Sequence, residues 1–125
     1  MATKLSVKEL SQIWNPIEEN VWDYKKPITR WEVRREIRLS HFVSNSYSDD
    51  FDGEWTRIKH IRRIAWLVVN GWKDPIRIRY LKHLGIHVHD GNHRLAASLI
   101  RKDSYIMANV LGNSNRFSFL EYKDF

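Results

Sequence analysis

The stretch that most constrains this chain is residues 85–98, which read Gly-Ile-His-Val-His-Asp-Gly-Asn-His-Arg-Leu-Ala-Ala-Ser. Ile86 and Val88 alternate with His87 and His89, which predicts a strand with one apolar and one polar face. Asp90-Gly91 predicts a turn. Apolar residues at helical spacing follow it, namely Leu95, Ala96, Leu99 and Ile100. The stretch therefore predicts a strand, a tight turn and a helix.

The turn is a candidate anion site because it places backbone amides at the start of the predicted helix. A helix N-terminus has unpaired N–H groups and a partial positive charge, which suit a phosphate or carboxylate. Glycine allows close approach of the backbone to an anion, and arginine can add a bidentate contact. Two further arginines on a neighbouring predicted strand either extend the site or are solvated. The candidate phosphate-binding residues are Gly91, Asn92, His93, Arg94, Arg77 and Arg79.

The three histidines of this stretch allow three interpretations. His87, His89 and His93 could hold a catalytic metal ion, which needs three protein ligands and an open position. Alternatively, Asp90 and His93 hydrogen-bond the turn while the strand histidines face a polar cleft. In the third interpretation His93 acts as a general acid or base, since the ordinary histidine pKa of about 6.5 suits that role.

The N-terminal part of the chain gives weaker signals. Ser6-Val7-Lys8-Glu9 predicts a capping box that opens a short helix, and residues 15–28 predict an irregular linker. Thr29 and Glu32 could cap a second helix, but the alternation of Trp31, Val33, Ile37 and Leu39 favours a strand over the second half of residues 29–43.

The rest of the chain predicts an α+β fold. Asp52 is the expected cap of a long helix that ends at Asn70-Gly71. Strands are expected at residues 76–80, 86–89 and 104–110, and a short final element with Phe117, Phe119 and Tyr122 is expected to pack back on the core. This order predicts a small mixed β-sheet packed with helices, in a single domain of residues 1–125.

Composition limits the compartment and the chemistry. The 125 residues include no cysteine, which excludes disulfides, thiol catalysis and cysteine metal sites and fits a reducing compartment. No run of 18 apolar residues occurs, and the first residues lack the apolar segment of a signal peptide. We therefore expect a cytoplasmic protein that does not span a membrane.

Charge points to a polyanionic partner. The net charge is +6, and residues 57–102 contain eleven Lys/Arg against Asp74 and Asp90. On the long helix, four basic residues lie off the apolar stripe and could contact a nucleic-acid backbone, or simply be solvated: Arg57, Lys59, Arg62 and Arg63. The six tryptophans are expected in the core rather than as base-stacking platforms.

Residues 57–111 resemble the ParB/sulfiredoxin-like superfamily, also called ParB-like nuclease domains. The resemblance rests on six consecutive parts, which are Asn70-Gly71, Pro75-Ile76-Arg77-Ile78, Ile86-His87-Val88-His89, Asp90-Gly91-Asn92-His93-Arg94, Ala96-Ala97 and Ile106-Met107-Ala108-Asn109-Val110. It implies that the turn grips nucleotide phosphates and that residues 1–45 form an N-terminal extension. Asn92 stands where sulfiredoxins carry the reactive cysteine, so sulfinic acid reduction is not expected. The helix-turn-helix domain of partition proteins is not expected either.

Three hypotheses of function follow. The first is a domain that binds a nucleotide or nucleic-acid phosphate, and hydrolyses or transfers a phosphoryl group with Mg²⁺ and a nucleoside triphosphate, assisted by Asp90 or His93. The second is a metal-dependent nuclease that uses His87, His89 and His93. The third is a non-catalytic, phage- or plasmid-type accessory module that docks on DNA or on another protein. Neither catalysis nor the oligomeric state follows from the sequence.

Overall fold

A computed structural model describes residues 2–19, 21–22, 24–44, 56–112 and 114–123. In these residues the chain forms four α-helices and four β-strands and ends in a 3-10 helix. The order is β1 (Thr3–Ser6), α1 (Val7–Ser11), α2 (Arg30–Arg38), α3 (Arg57–Asn70), β2 (Ile76–Leu81), β3 (Gly85–Asp90), α4 (Asn92–Arg101), β4 (Tyr105–Leu111) and the 3-10 helix Ser114–Leu120. The predicted α+β class is confirmed.

The four strands form one mixed sheet in the order β1-β4-β2-β3. β2 and β3 form an antiparallel hairpin, β2 runs parallel to β4, and β1 is antiparallel to β4. A register shift between Arg77 and Ile78 places Arg77 opposite Asp90 and Ile78 opposite Val88. The small mixed sheet was predicted, but its edge strand β1 was not.

A single apolar core joins the sheet to the helices. Ile76, Ile78 and Val88 are buried on the sheet, and α3 packs against both α2 and α4. The first 45 residues also supply core side chains, which are Leu5, Val7, Leu10, Ile17, Ile28 and Val33. The predicted extension is therefore packed into the same core as the rest of the chain. No helix in the described ranges has the length and apolar character needed to cross a bilayer.

The strand favoured for the second half of residues 29–43 is wrong. Residues 30–38 form α2, and residues 39–43 belong to no strand. The Thr29 hydroxyl accepts from the Glu32 amide, and the Glu32 carboxylate accepts from the Thr29 amide, so both halves of a capping box are made. The apparent alternation was misleading because Trp31 is 63% exposed and Leu39 is 54% exposed. Val33 and Glu36 are the buried residues of this helix.

Two other boundaries differ from the sequence expectation. Thr56 caps α3, with its hydroxyl accepting from the Lys59 amide at 3.4 Å. The expected cap, Asp52, lies outside the described residues and four positions before that cap. In the final element Phe117 is buried, as expected, whereas Phe119 is 57% exposed.

Two carboxylates of α2, the half-buried Glu32 and the buried Glu36, hold this helix against α3. Arg57 donates to both Glu32 oxygens, with Nη2 at 2.6 Å from Oε1, and this contact lowers the pKa of Glu32 to about 2. Glu36 is 3% exposed and contacts His41 at 3.1 Å and Arg62 at 3.4 Å. Removing one partner of such a partly buried pair costs more stability than removing one partner of a freely solvated surface pair.

The start of α4 lies unusually close to β2. Gly91 caps the helix with φ of +113°, and a Cβ added to it would lie 2.3 Å from Ile76 Cγ2. A side chain at this position would therefore meet both an unfavourable backbone region and the buried face of the sheet. The glycine of the turn is explained by packing before any ligand is considered.

We predict that Gly91→Ala lowers the free energy of unfolding by about 1–3 kcal/mol more than Gly112→Ala does, because it adds overpacking to backbone strain. Gly112 is the matched control, since its φ is +106° and an added Cβ would meet nothing within 4 Å. Urea denaturation of both variants measures the difference. Equal losses would mean that the contact with Ile76 relaxes freely.

Candidate functional site

The topology brings two distant loops together at one end of the hairpin. Because β2 and β3 are antiparallel, the residues that enter β2 lie beside those that leave β3. Arg77 pairs with Asp90 on one side and with Asn109 of β4 on the other. The loop Lys73-Asp74-Pro75 and the turn Asp90-Gly91 therefore border the same surface.

A cleft of about 550 Å³ opens at this place. Its charged lining consists of four basic and two acidic side chains, a formal excess of two positive charges: Arg63, Lys73, Arg77 and Arg94 against Asp74 and Asp90. Leu67, Trp72, Pro75, Gly91, His93 and Asn109 complete the lining. We call this the basic cleft.

The N-terminus of α4 opens beside the basic cleft. Leu95 donates the first intrahelical backbone bond, to Gly91 O at 2.8 Å, so the amides of Asn92, His93 and Arg94 precede the helical ladder. Within the part of the chain that is described, no side chain caps this end. This helix end therefore starts at the predicted turn, and anion binding there stays a prediction.

The guanidinium of Arg94 is hydrogen-bonded to backbone carbonyls of the protein. Its Nη1 donates to Asp74 O at 2.7 Å and to Pro75 O at 3.1 Å, and its Nη2 lies 3.2 Å from Asp90 Oδ2. The side chain is 14% exposed. Arg94 thus fixes the loop before β2 against the start of α4, and its charge is partly neutralised by Asp90.

His93 lies in an aromatic cluster that the sequence did not reveal. Its Nε2 is 2.6 Å from His60 Nδ1, and the two rings stack with centroids 4.9 Å apart. The indole of Trp22 stacks on both rings, at 4.9 and 5.0 Å. Burial lowers the pKa of His60 to about 4. Burial, with smaller effects of His60 and two arginines, lowers the pKa of His93 to about 3.

The neighbouring Asn92 is held by another tryptophan from the N-terminal segment. Trp14 donates from Nε1 to Asn92 Oδ1 at 2.6 Å, and its ring makes an edge contact with His87 at 4.7 Å. The side chain of Asn92 therefore orients the start of α4 and does not line the basic cleft.

The predicted three-histidine metal site is not assembled. His93 contacts His60 and His87 contacts Trp14. Across the described ranges, no group of three His, Cys, Asp or Glu side chains is arranged to hold a metal ion. His89 lies at the register shift of β3. The period-2 pattern placed His87 and His89 on one face, but it could not show that His87 contacts Trp14 and that His93 contacts His60.

The basic residues of α3 are divided among different roles. Arg57 and Arg62 pair with the carboxylates of α2, as described above, and Lys59 lies one turn from Thr56, outside the lining of the basic cleft. Arg63 lines the basic cleft and donates to Ser44 O. The predicted nucleic-acid contact through these four side chains stays a prediction.

Six of the predicted site residues line the basic cleft, namely Arg63, Arg77, Asp90, Gly91, His93 and Arg94. Arg79, which lies on the same face of β2 as Arg77, does not line the basic cleft. Lys73, Trp72 and Asn109 were missed by the sequence analysis. Lys73 could have been found, because an antiparallel hairpin brings the segment that enters its first strand close to the segment that leaves its second.

We predict that the fold loses stability between pH 6.5 and pH 4. Unfolded histidine has a pKa of about 6.5, whereas the pKa values of folded His60 and His93 are about 4 and about 3. At pH 5 the unfolded chain therefore binds more protons, so the free energy of unfolding falls as pH falls, approaching about 1.4 kcal/mol per pH unit per histidine.

Urea denaturation at pH 7 and pH 5 measures this loss, with His93→Gln and His83→Gln as the informative pair. His83 is exposed in the turn between β2 and β3, so its replacement should keep the wild-type pH dependence. His93→Gln should reduce it. A wild-type free energy of unfolding that stays constant between these pH values would contradict burial of the neutral pair.

Comparisons of the chain with protein-family models, curated proteins and solved structures find no match. The resemblance to the ParB/sulfiredoxin-like superfamily therefore stays a prediction from the motif residues, and the geometry of the basic cleft carries the functional argument.

Proposed function

We propose that this protein binds the phosphate group of a nucleotide or nucleic acid in the basic cleft. The observation that carries the proposal is the convergence of the α4 N-terminus with three cations that lack a carboxylate partner among the described residues, Arg63, Lys73 and Arg77. Backbone amides and cationic side chains around one concave surface are the usual means of phosphate recognition.

Arg63 adds a specific argument for an anionic ligand. Its Nε is buried and, among the described contacts, has no hydrogen-bond partner. Burial, and to a smaller extent the charge of Arg94, lower the pKa of Arg63. An anion bound beside these two guanidinium groups would relieve the repulsion between them.

The dimensions of the site agree with a ligand larger than a single ion. Clefts that bind small molecules usually have volumes of about 300–1,000 Å³, and the basic cleft has about 550 Å³. Trp72 and Pro75 supply apolar surface beside the charges. A phosphate with an attached organic group therefore fits the lining better than inorganic phosphate alone.

Catalysis by Asp90 and His93 stays a prediction, and the structure constrains it. A pKa of about 3 keeps His93 neutral at pH 7, so it would not serve as a general acid there. Its Nε2 is shared with His60, and Asp90 is paired with Arg94. The contacts of both side chains hold the turn in place, and an ordered turn supports phosphate binding rather than catalysis.

We predict that Arg77→Gln weakens binding of inorganic pyrophosphate about tenfold, because it removes one charge-assisted contact. Arg79→Gln is the matched control: both residues are exposed on β2, but Arg79 does not line the basic cleft. Isothermal titration calorimetry at low salt measures both affinities. Lys73→Gln should behave like Arg77→Gln.

Two results would overturn the proposal. One is the absence of pyrophosphate binding by the folded wild-type protein at millimolar concentration. The other is an equal loss of affinity in Arg77→Gln and Arg79→Gln, which would indicate attraction by net charge without a defined site.

A further inference from the structure

A second cleft continues the basic cleft along the protein surface. It has a volume of about 900 Å³, and four residues line both clefts: Arg63, Leu67, Trp72 and Lys73. The two clefts are therefore parts of one groove, which runs from the α4 N-terminus past the end of α3 to β4. We call the second part the aromatic end.

Cations lie against the aromatic rings in and beside the aromatic end, whose lining also contains Asp103, 3.3 Å from Arg101 Nε. The guanidinium of Arg63 lies 5.1 Å from the Trp66 ring centroid, and that of Arg101 lies 5.1 Å from the centroid of Trp72. Farther along, the rings of Tyr105 and Tyr122 are 5.2 Å apart, and the Lys4 ammonium lies 4.6 Å from the Tyr105 centroid.

These rings are accessible rather than sealed in the core. Tyr105 is 41% exposed, and Trp66, Trp72 and Tyr122 are half-buried. The expectation that the tryptophans belong to the core is therefore incomplete, since Trp66 and Trp72 pack against the core and also line the groove. Half-buried rings of this kind contact the core on one side and still offer surface to a ligand.

From this juxtaposition we infer that the groove binds single-stranded nucleic acid, with a backbone phosphate in the basic cleft and unpaired bases against the aromatic end. The inference rests on the proposed phosphate site and names its ligand class. Grooves that bind single strands combine positive charge, which follows the backbone, with aromatic and arginine side chains on which bases stack.

The combination of a basic cleft with an aromatic end favours single-stranded nucleic acid over a double helix or a mononucleotide. Bases inside a duplex do not present their faces to a protein ring, so a double helix would leave the aromatic end unused. A mononucleotide would occupy the basic cleft and one adjoining ring, and would leave Tyr105 and Tyr122 without a ligand. An oligonucleotide uses the whole length of the groove.

The test compares fluorescently labelled single strands of about 12 nucleotides, a length within the range of known single-strand sites. The probes are oligothymidylate, oligouridylate, oligodeoxyuridylate and an abasic strand of equal length, and fluorescence anisotropy measures their affinities. We expect the wild-type protein to bind base-containing strands more tightly than the abasic strand. Tyr105→Ala should weaken binding of base-containing strands by about fivefold or more, and it should leave the abasic strand unaffected.

Two variants control this experiment. Phe119→Ala removes another exposed aromatic side chain, which lines neither part of the groove, so it should bind like the wild type. Tyr105→Phe keeps the ring and should also bind like the wild type, because stacking does not require the hydroxyl group.

The outcomes separate this inference from the proposed function. Equal affinity for abasic and base-containing strands, together with pyrophosphate binding, would overturn the single-strand inference and leave the phosphate site intact. Thymidine monophosphate binding as tightly as the oligonucleotide would do the same. Loss of pyrophosphate binding as well would remove both. Tighter binding of oligouridylate than of oligodeoxyuridylate, which differ only in the 2′-hydroxyl group, would support the inference and identify RNA as the ligand, and the reverse preference would identify DNA.

Discussion

The contact between Gly91 and Ile76 sets the distance between α4 and the sheet, and the site depends on that distance. A Cβ at residue 91 would lie 2.3 Å from Ile76 Cγ2, so α4 can start at its present position because no side chain intervenes. From that position three successive residues reach different partners: Asn92 accepts from Trp14, His93 contacts His60, and Arg94 donates to the carbonyls of residues 74 and 75. The first turn of α4 is thereby held in one orientation, as recognition by a helix N-terminus requires.

Much of this support comes from the N-terminal segment. Trp14 and Trp22 hold Asn92 and His93, while the carboxylates of α2 fix α3 through Arg57 and Arg62. α3 in turn places His60 and Arg63 next to the start of α4. Residues that the motif alone would assign to an extension therefore belong to the structure that positions the candidate site.

The sequence could predict what is encoded locally. The strand-turn-helix of residues 85–98, the end of α3 at Gly71 and the Ser6 cap of α1 depend on neighbours within a few positions. The partners of His93 and Arg94 could not be predicted in this way, since His60 and Asp74 are 33 and 20 positions away in the chain.

β1 was missed for a related reason, because its four residues gain their pairing from β4 at the opposite end of the chain. In the segment of α2 two local signals conflicted, the capping box of a helix and the apolar alternation of a strand. The helix forms, and of the four alternating apolar residues only Val33 is fully buried.

The value of a cation for recognition depends on what already neutralises it. Arg94 is the most conspicuous basic residue of the motif, yet two carbonyls and Asp90 occupy its guanidinium. Moving it to a ligand would break those contacts, so the net gain would be small. Lys73 and Arg77 are exposed and have no carboxylate partner among the described residues, so in the proposed function a phosphate gains their contacts without that loss. Arg94 therefore shapes the cleft, while the proposed function assigns contact with the phosphate to Lys73 and Arg77.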